Sequence, residues 1–235
     1  MTTVVVQEQR IEDSTTHAVI NAANEASFQM GDTGVSKALR DACGGESACG
    51  QQKSQHCGTS DWEAVSTTPR GQATWQRTAG MLADNGVRCV VHAHGPRWTQ
   101  PGGPKAKPLT DESAISSIMQ RDIKLTVRNA LECAARSGAM SVTVPPISGG
   151  IFTRGTPNKE NDELESRRAV LEALFLFAKE NPNRLRRIVF VDIAPSPGGG
   201  GGRSDLLHKL AQDYLRMQVC VPERYACCNG SQTEQ

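Results

Sequence analysis

Apolar positions along the chain follow two alternating rhythms. Short runs at residues 3–7, 18–20, 87–93, 140–144 and 188–191 read as buried strands, and residues 73–75 as a shorter strand after Pro69-Arg70-Gly71. Between them the spacing turns helical. Val35, Ala38, Leu39 and Ala42 recur at i, i+3, i+4 and i+7, one face of a helix that Asp32 or Thr33 can cap and Gly44 or Gly45 can end. Ile115, Met119, Ile123, Val127, Leu131 and Ala134 mark a long helix capped by Asp111 and running toward Ser137. Ala169, Val170, Ala173, Leu174 and Phe177 mark another, after a polar stretch reaching about Asn161, and Ser204 can cap a last helix to about Met217. Strands alternating with helices predict an α/β fold, a three-layer α/β/α sandwich around a mixed, largely parallel sheet.

In such sheets ligands sit outside the carboxyl ends of the strands. Two polar loops are predicted there. The first follows the strand at 18–20: Asn21-Ala22-Ala23-Asn24, then Gly31-Asp32-Thr33-Gly34 ahead of the Val35 helix. Strand, small residues, glycines and a helix start together can direct backbone N–H groups at an anion. The second follows Pro145-Pro146: Ser148-Gly149-Gly150-Ile151-Phe152. Its glycines would let a diphosphate press on bare backbone, and Ile151 and Phe152 offer an apolar wall to a sugar. Each motif alone also fits an ordinary turn; their shared place at strand ends is what gives them weight.

Composition narrows the field. The 235 residues suffice for one sizeable domain, and 37% hydrophobic with 22% charged residues is the balance of a soluble chain. A net charge of +1 gives no general pull toward nucleic acid or an anionic membrane. Arg184, Arg186 and Arg187 precede a strand without aromatic partners and read as a solvated turn. No apolar run approaches the roughly 18 residues of a spanning helix, and the amino-terminal stretch does not resemble a signal peptide, so a cytoplasmic protein is expected, with the nucleus open. A core of this size needs no disulfide framework, so the eight cysteines are expected as thiols. Cys43, Cys49, His56 and Cys57 lack the paired spacing of a zinc site, and no metal is expected. His92, His94 and Cys89 are expected to pack in the core. Residues 44–66, rich in Gly, Ser, Gln and Cys, read as an insertion in a domain spanning 1–218. The glycine run at 198–202 and the tail at 219–235 read as flexible.

The ordered motifs together resemble the macrodomain family: Asn-Ala-Ala-Asn after an apolar strand, the glycine loop with Val35 after it, Val91-His92-Ala93-His94-Gly95-Pro96, and Pro146 to Phe152. The segment at 71–80 is similar as well, so the resemblance spans residues 3 to about 217. It implies an ADP-ribose cleft between the two loops, with no cofactor. By analogy Asn24 would bond the distal ribose and Asn21 would brace the loop. Ala22, Gly34 and Val35 would line the diphosphate and ribose from one side, and Ser148, Gly149, Gly150 and Ile151 would bind the diphosphate from the other. Phe152 would pack on the distal ribose, and adenine would sit near Ile11, Asp192 and Ile193. Two positions depart from the pattern. Arg10 stands where the family has an acidic residue for the adenine amino group, which leaves either Asp13 as a substitute acceptor or adenine held by stacking and backbone alone, and Ser36 stands where many family hydrolases carry Asp.

The resemblance implies one of two functions. In the first, the protein is an enzyme that removes mono-ADP-ribose from acidic side chains of modified proteins, Asn24 ordering a water and Asp32 orienting or deprotonating it. Asp32 reads equally well as a helix N-cap. In the second, the cleft only reads ADP-ribose. The chain carries no second recognisable domain to relay a message, which favours the hydrolase; deacetylation of O-acetyl-ADP-ribose would use the same cleft. The expected partners are ADP-ribose and mono-ADP-ribosylated proteins, met by a monomer.

Overall fold

The computed structural model describes residues 2–23, 34–44, 73–99, 111–153 and 156–192, with residue 212. Six strands form one sheet: β1 (Thr3–Glu8), β2 (Ala18–Ala23), β3 (Ala73–Arg77), β4 (Cys89–His94), β5 (Ser141–Val144) and β6 (Arg187–Asp192). Their order is β1-β6-β5-β2-β4-β3, parallel throughout except for β3, which runs antiparallel to β4 at the edge. The mixed, largely parallel sheet read from the sequence is the one found.

Helices cover both faces. One face carries α3 (Glu112–Arg136) and α4 (Lys159–Glu180), packed over Ile20, Val91, Val142, Val144 and Phe190. Asp111 caps α3 as expected, its carboxylate accepting from Ser113 N at 2.9 Å and Ala114 N at 3.4 Å. The other face carries α1 (Gly34–Ala42) and α2 (Gly80–Asp84), with Leu39, Ala42 and Leu82 packed on Val19, Val90, Val189 and Val191. The short helix α2 has no counterpart in the sequence reading, because five residues are too few to show a helical period. Gly80 lets it seat: its φ is +55°, and a Cβ there would lie 2.7 Å from the Cys43 backbone.

Two boundaries and one cysteine differ from expectation. Strand β2 continues through Asn21, Ala22 and Ala23, because the buried Asn21 side chain finds partners inside the fold. Helix α4 starts at Lys159, so polar residues of the expected connection form its first turn. Cys43 is disulfide-bonded, which corrects the expectation of thiols; Cys89 and Cys133 are buried and outside any disulfide. The insertion, the segment at 100–110, the last helix and the tail lie outside the described residues.

Candidate functional site

Strands β4, β2, β5 and β6 are consecutive neighbours, so their carboxyl ends bring four chain segments side by side. The chain leaves β2 toward α1 on one face and leaves β4 toward α3 on the other. That reversal is where an open parallel sheet forms a crevice.

On the β5 side the backbone of residues 147–153 is tightly determined. Ser148 is fully buried with φ +62°, a left-handed conformation rare for a residue with a Cβ, and Gly150 follows at φ +60°. Residues Gly150–Thr153 form a 3-10 turn in which Phe152 N donates to Gly149 O at 3.3 Å. Among the described residues, the N–H groups of Ser148, Gly149 and Gly150 donate to no protein acceptor. A Cβ on Gly150 would meet nothing within 4 Å, so this position borders open space. Such a run of bare N–H groups suits an anionic oxygen.

Several contacts hold this loop from behind. Ser166 Oγ, from α4, donates to Ser148 O at 3.1 Å, and Trp98 Nε1 donates to Ser166 Oγ at 2.9 Å. Gly95, after β4, packs so closely that a Cβ would sit 2.3 Å from Ser148 Oγ and 2.7 Å from Ile147 Cγ2. Thr153 Oγ1 donates to Gly150 O at 2.8 Å and lies 3.4 Å from Glu163 Oε1. Glu163 belongs to a buried ionic group: Arg167 Nε donates to Asp192 Oδ2 at 2.7 Å, and Arg167 Nη1 lies 3.6 Å from Glu163 Oε2 while donating to the Glu163 backbone carbonyl at 2.9 Å. The charges satisfy one another, as burial requires. The end of β6 is thereby tied to the loop after β5.

On the β2 side the network is polar. Ser36 Oγ, in the first turn of α1, donates to Asn21 Oδ1 at 2.8 Å, and Asn21 Nδ2 donates to His92 Nδ1 at 3.1 Å. That places the His92 ring proton on Nε2. Burial, with His94 close by, pushes the His92 pKa down to about 3, so the ring is neutral. Ser36 is therefore turned into the protein, bracing the strand from which the first loop departs.

The expected site residues fall as follows. Gly34 (φ +58°, exposed) and Val35 open α1 beside the end of β2, and Ala22 is partly exposed within β2. Ser148, Gly149, Gly150 and Phe152 share the loop after β5, and Ile151 lies in the same turn with its side chain outside the described residues. Phe152 is 7% exposed and carries the Arg97 guanidinium over its ring, 5.6 Å from the centroid. Ile11 is buried against Val19, Leu39 and Val191, which leaves only backbone to meet a base. Asp192 is held by Arg167. Arg10 Nε donates to Glu12 Oε1 at 2.6 Å, and Asp13 is exposed. Asn24, Asp32 and Ile193 lie outside the described residues, as do the zinc candidates Cys49, His56 and Cys57. The sequence reading missed Arg97, the Arg167 ion pairs and the hydroxyl of Ser36; Arg167–Asp192 and Ser36–Asn21 join residues 25 and 15 positions apart and leave no local signal, whereas Glu163–Arg167, at i,i+4 on one helix, leaves one.

Comparisons agree with this architecture. The Macro domain family model matches residues 20–161, more than half of the chain. Solved structures that resemble it include a variant of the Oceanobacillus iheyensis macrodomain, with TM-score 0.61, 22% identity and 93% of each chain covered. The same macrodomain with ADP has TM-score 0.61, 21% identity, and 93% of this chain and 92% of that chain covered. The Trypanosoma brucei macrodomain in complex with ADP-ribose has TM-score 0.58, 17% identity, and 90% of this chain and 68% of that chain covered. No curated protein matches the sequence. With the motifs, the sheet order and the family model in agreement, the chain belongs to the Macro domain family.

Proposed function

We propose that this chain binds ADP-ribose across the carboxyl ends of β2, β4 and β5 and removes mono-ADP-ribose from acidic side chains of modified proteins by hydrolysis. One observation carries the binding half: the loop after β5, left-handed at Ser148 and Gly150, carries N–H groups with no acceptor among the described residues and borders open space at Gly150, and β5 is the neighbour of the strand that leads into α1. The diphosphate takes those groups and the start of α1. The resemblance to macrodomains with bound ADP and ADP-ribose supports the same ligand.

The hydrolytic half asks little of the protein. A water oxygen bonds to the anomeric carbon, the bond from that carbon to the ester oxygen breaks, and the carboxylate departs with the electron pair. The water's proton passes to Asp32 or to solvent. Asn24 orders the water, and holding it in line with the bond supplies much of the acceleration. A reader without turnover is the second reading, and one observation favours it: the Ser36 hydroxyl, where many family hydrolases place an acid, is committed to Asn21.

Calorimetric titration of ADP-ribose into the chain and into Gly150→Val tests the binding half. The unaltered chain is expected to bind one ADP-ribose. The variant, strained at a positive φ and with its side chain in the diphosphate path, is expected to lose on the order of a hundredfold in affinity. Equal affinity would remove the diphosphate from residues 148–151.

A further inference from the structure

Arg97 makes no hydrogen bond and no ion pair among the described residues, although its Nε is fully buried. A guanidinium carries its five donors permanently charged, so an unmatched one held partly out of water is costly unless an anion completes it. Its setting is specific. Gly95 locks the chain after β4 against Ser148, Trp98 N donates to Phe152 O at 3.3 Å, and the guanidinium stands over the Phe152 ring between these two anchors. The ring orients the charge without neutralising it. Arg97 thus lies beside the loop whose N–H groups are bare, with its charge unspent.

We propose that Arg97 is a ligand-binding residue that pairs with an anionic group of the molecule seated against Phe152. The inference rests on the ADP-ribose reading and deepens it. That ligand can offer a matching anion from two sources, the diphosphate and the carboxylate that departs from the anomeric carbon. A guanidinium fits both, since each presents paired oxygens to its planar fork.

The test uses the full chain with Arg97→Gln and Arg97→Lys. ADP-ribose, which has the diphosphate and no carboxylate, is titrated at low and high salt. Release of ADP-ribose from a glutamate-linked, mono-ADP-ribosylated protein is timed in parallel. If the diphosphate is the partner, Arg97→Gln loses on the order of tenfold in ADP-ribose affinity, its salt dependence flattens, and Arg97→Lys restores part of both. If the carboxylate is the partner, ADP-ribose affinity holds while release slows on the order of tenfold, again with partial rescue by Lys. Affinity, salt dependence and release all equal to the unaltered chain would overturn the proposal. So would a loss that Lys does not restore and that tracks a lower melting temperature, because that pattern belongs to packing on Phe152. Failure of the underlying reading is separable: the unaltered chain would then bind no ADP-ribose at any salt, and Arg97 would lose its ligand with it.

Discussion

On the β5 side of the cleft, residues 147–153 are held by close packing against Gly95 and by ion pairs behind the loop. On the β2 side, the corresponding depth of sheet is filled by an amide, a hydroxyl and two imidazoles. The opposite face of the same strands is apolar: Ile20, Val91 and Ala93 alternate with Val19, Val90, Asn21 and His92. Alternation along a strand would place apolar residues at 21 and 92 at no cost to the pleat. Burying polar groups there is expensive unless each is satisfied, so this region trades stability for a fixed polar framework at the end of β2. The β5 wall is set by shape and the β2 wall by hydrogen bonds, and the two should fail differently.

Overpacking should damage the β5 wall most. Gly95→Val forces a side chain into space already held by Ser148 and Ile147 and is expected to cost about 3 kcal/mol in urea unfolding. A cost below about 1 kcal/mol would mean that this wall yields where close packing should resist.

Protons should act on the β2 wall. The folded pKa of His92 is about 3 against an ordinary value of 6.5, so the fold keeps the neutral ring. The stability it contributes is fully present above pH 6.5 and is lost as pH falls toward 3, at about 1.4 kcal/mol per pH unit. Near pH 5 the loss is about 2 kcal/mol relative to neutral pH. Unfolding midpoints followed against pH should therefore fall more steeply for the unaltered chain than for His92→Gln. Parallel slopes would mean that His92 does not couple protons to folding.

The smallest effect is expected from Ser36→Ala. It leaves Asn21 Oδ1 without its hydroxyl donor and should cost about 1 kcal/mol. No change in unfolding would show that this hydroxyl is not a brace.

Much of this comparison was legible in the sequence, and the limits have physical causes. The helix faces at Met119, Ile123 and Val127 and at Ala169, Val170 and Ala173 announced themselves by period, and all six residues are buried. The loop after β5 was placed at a strand end by composition alone, since a glycine cluster after an apolar run needs no tertiary knowledge, while residues 24–33 of the first loop lie outside the described residues. The β2 boundary was read three residues short because Asn21 looks like a loop residue until Ser36 and His92 are known to meet it. The Arg167–Asp192 ion pair spans 25 residues and the Asn21–His92 contact 71, and such pairings exist only once the sheet order is fixed. Arg97 went unnoticed because an arginine in a Gly/Pro-rich connection reads as solvated.

The central claim is turnover at this cleft, and timed release of ADP-ribose from a glutamate-linked, mono-ADP-ribosylated protein held in excess over the chain tests it most directly. The account predicts many equivalents of ADP-ribose released per chain, with Asn24→Ala slowing release on the order of a hundredfold while weakening ADP-ribose binding far less. Binding of ADP-ribose with no release from the modified protein would contradict it and leave a reader.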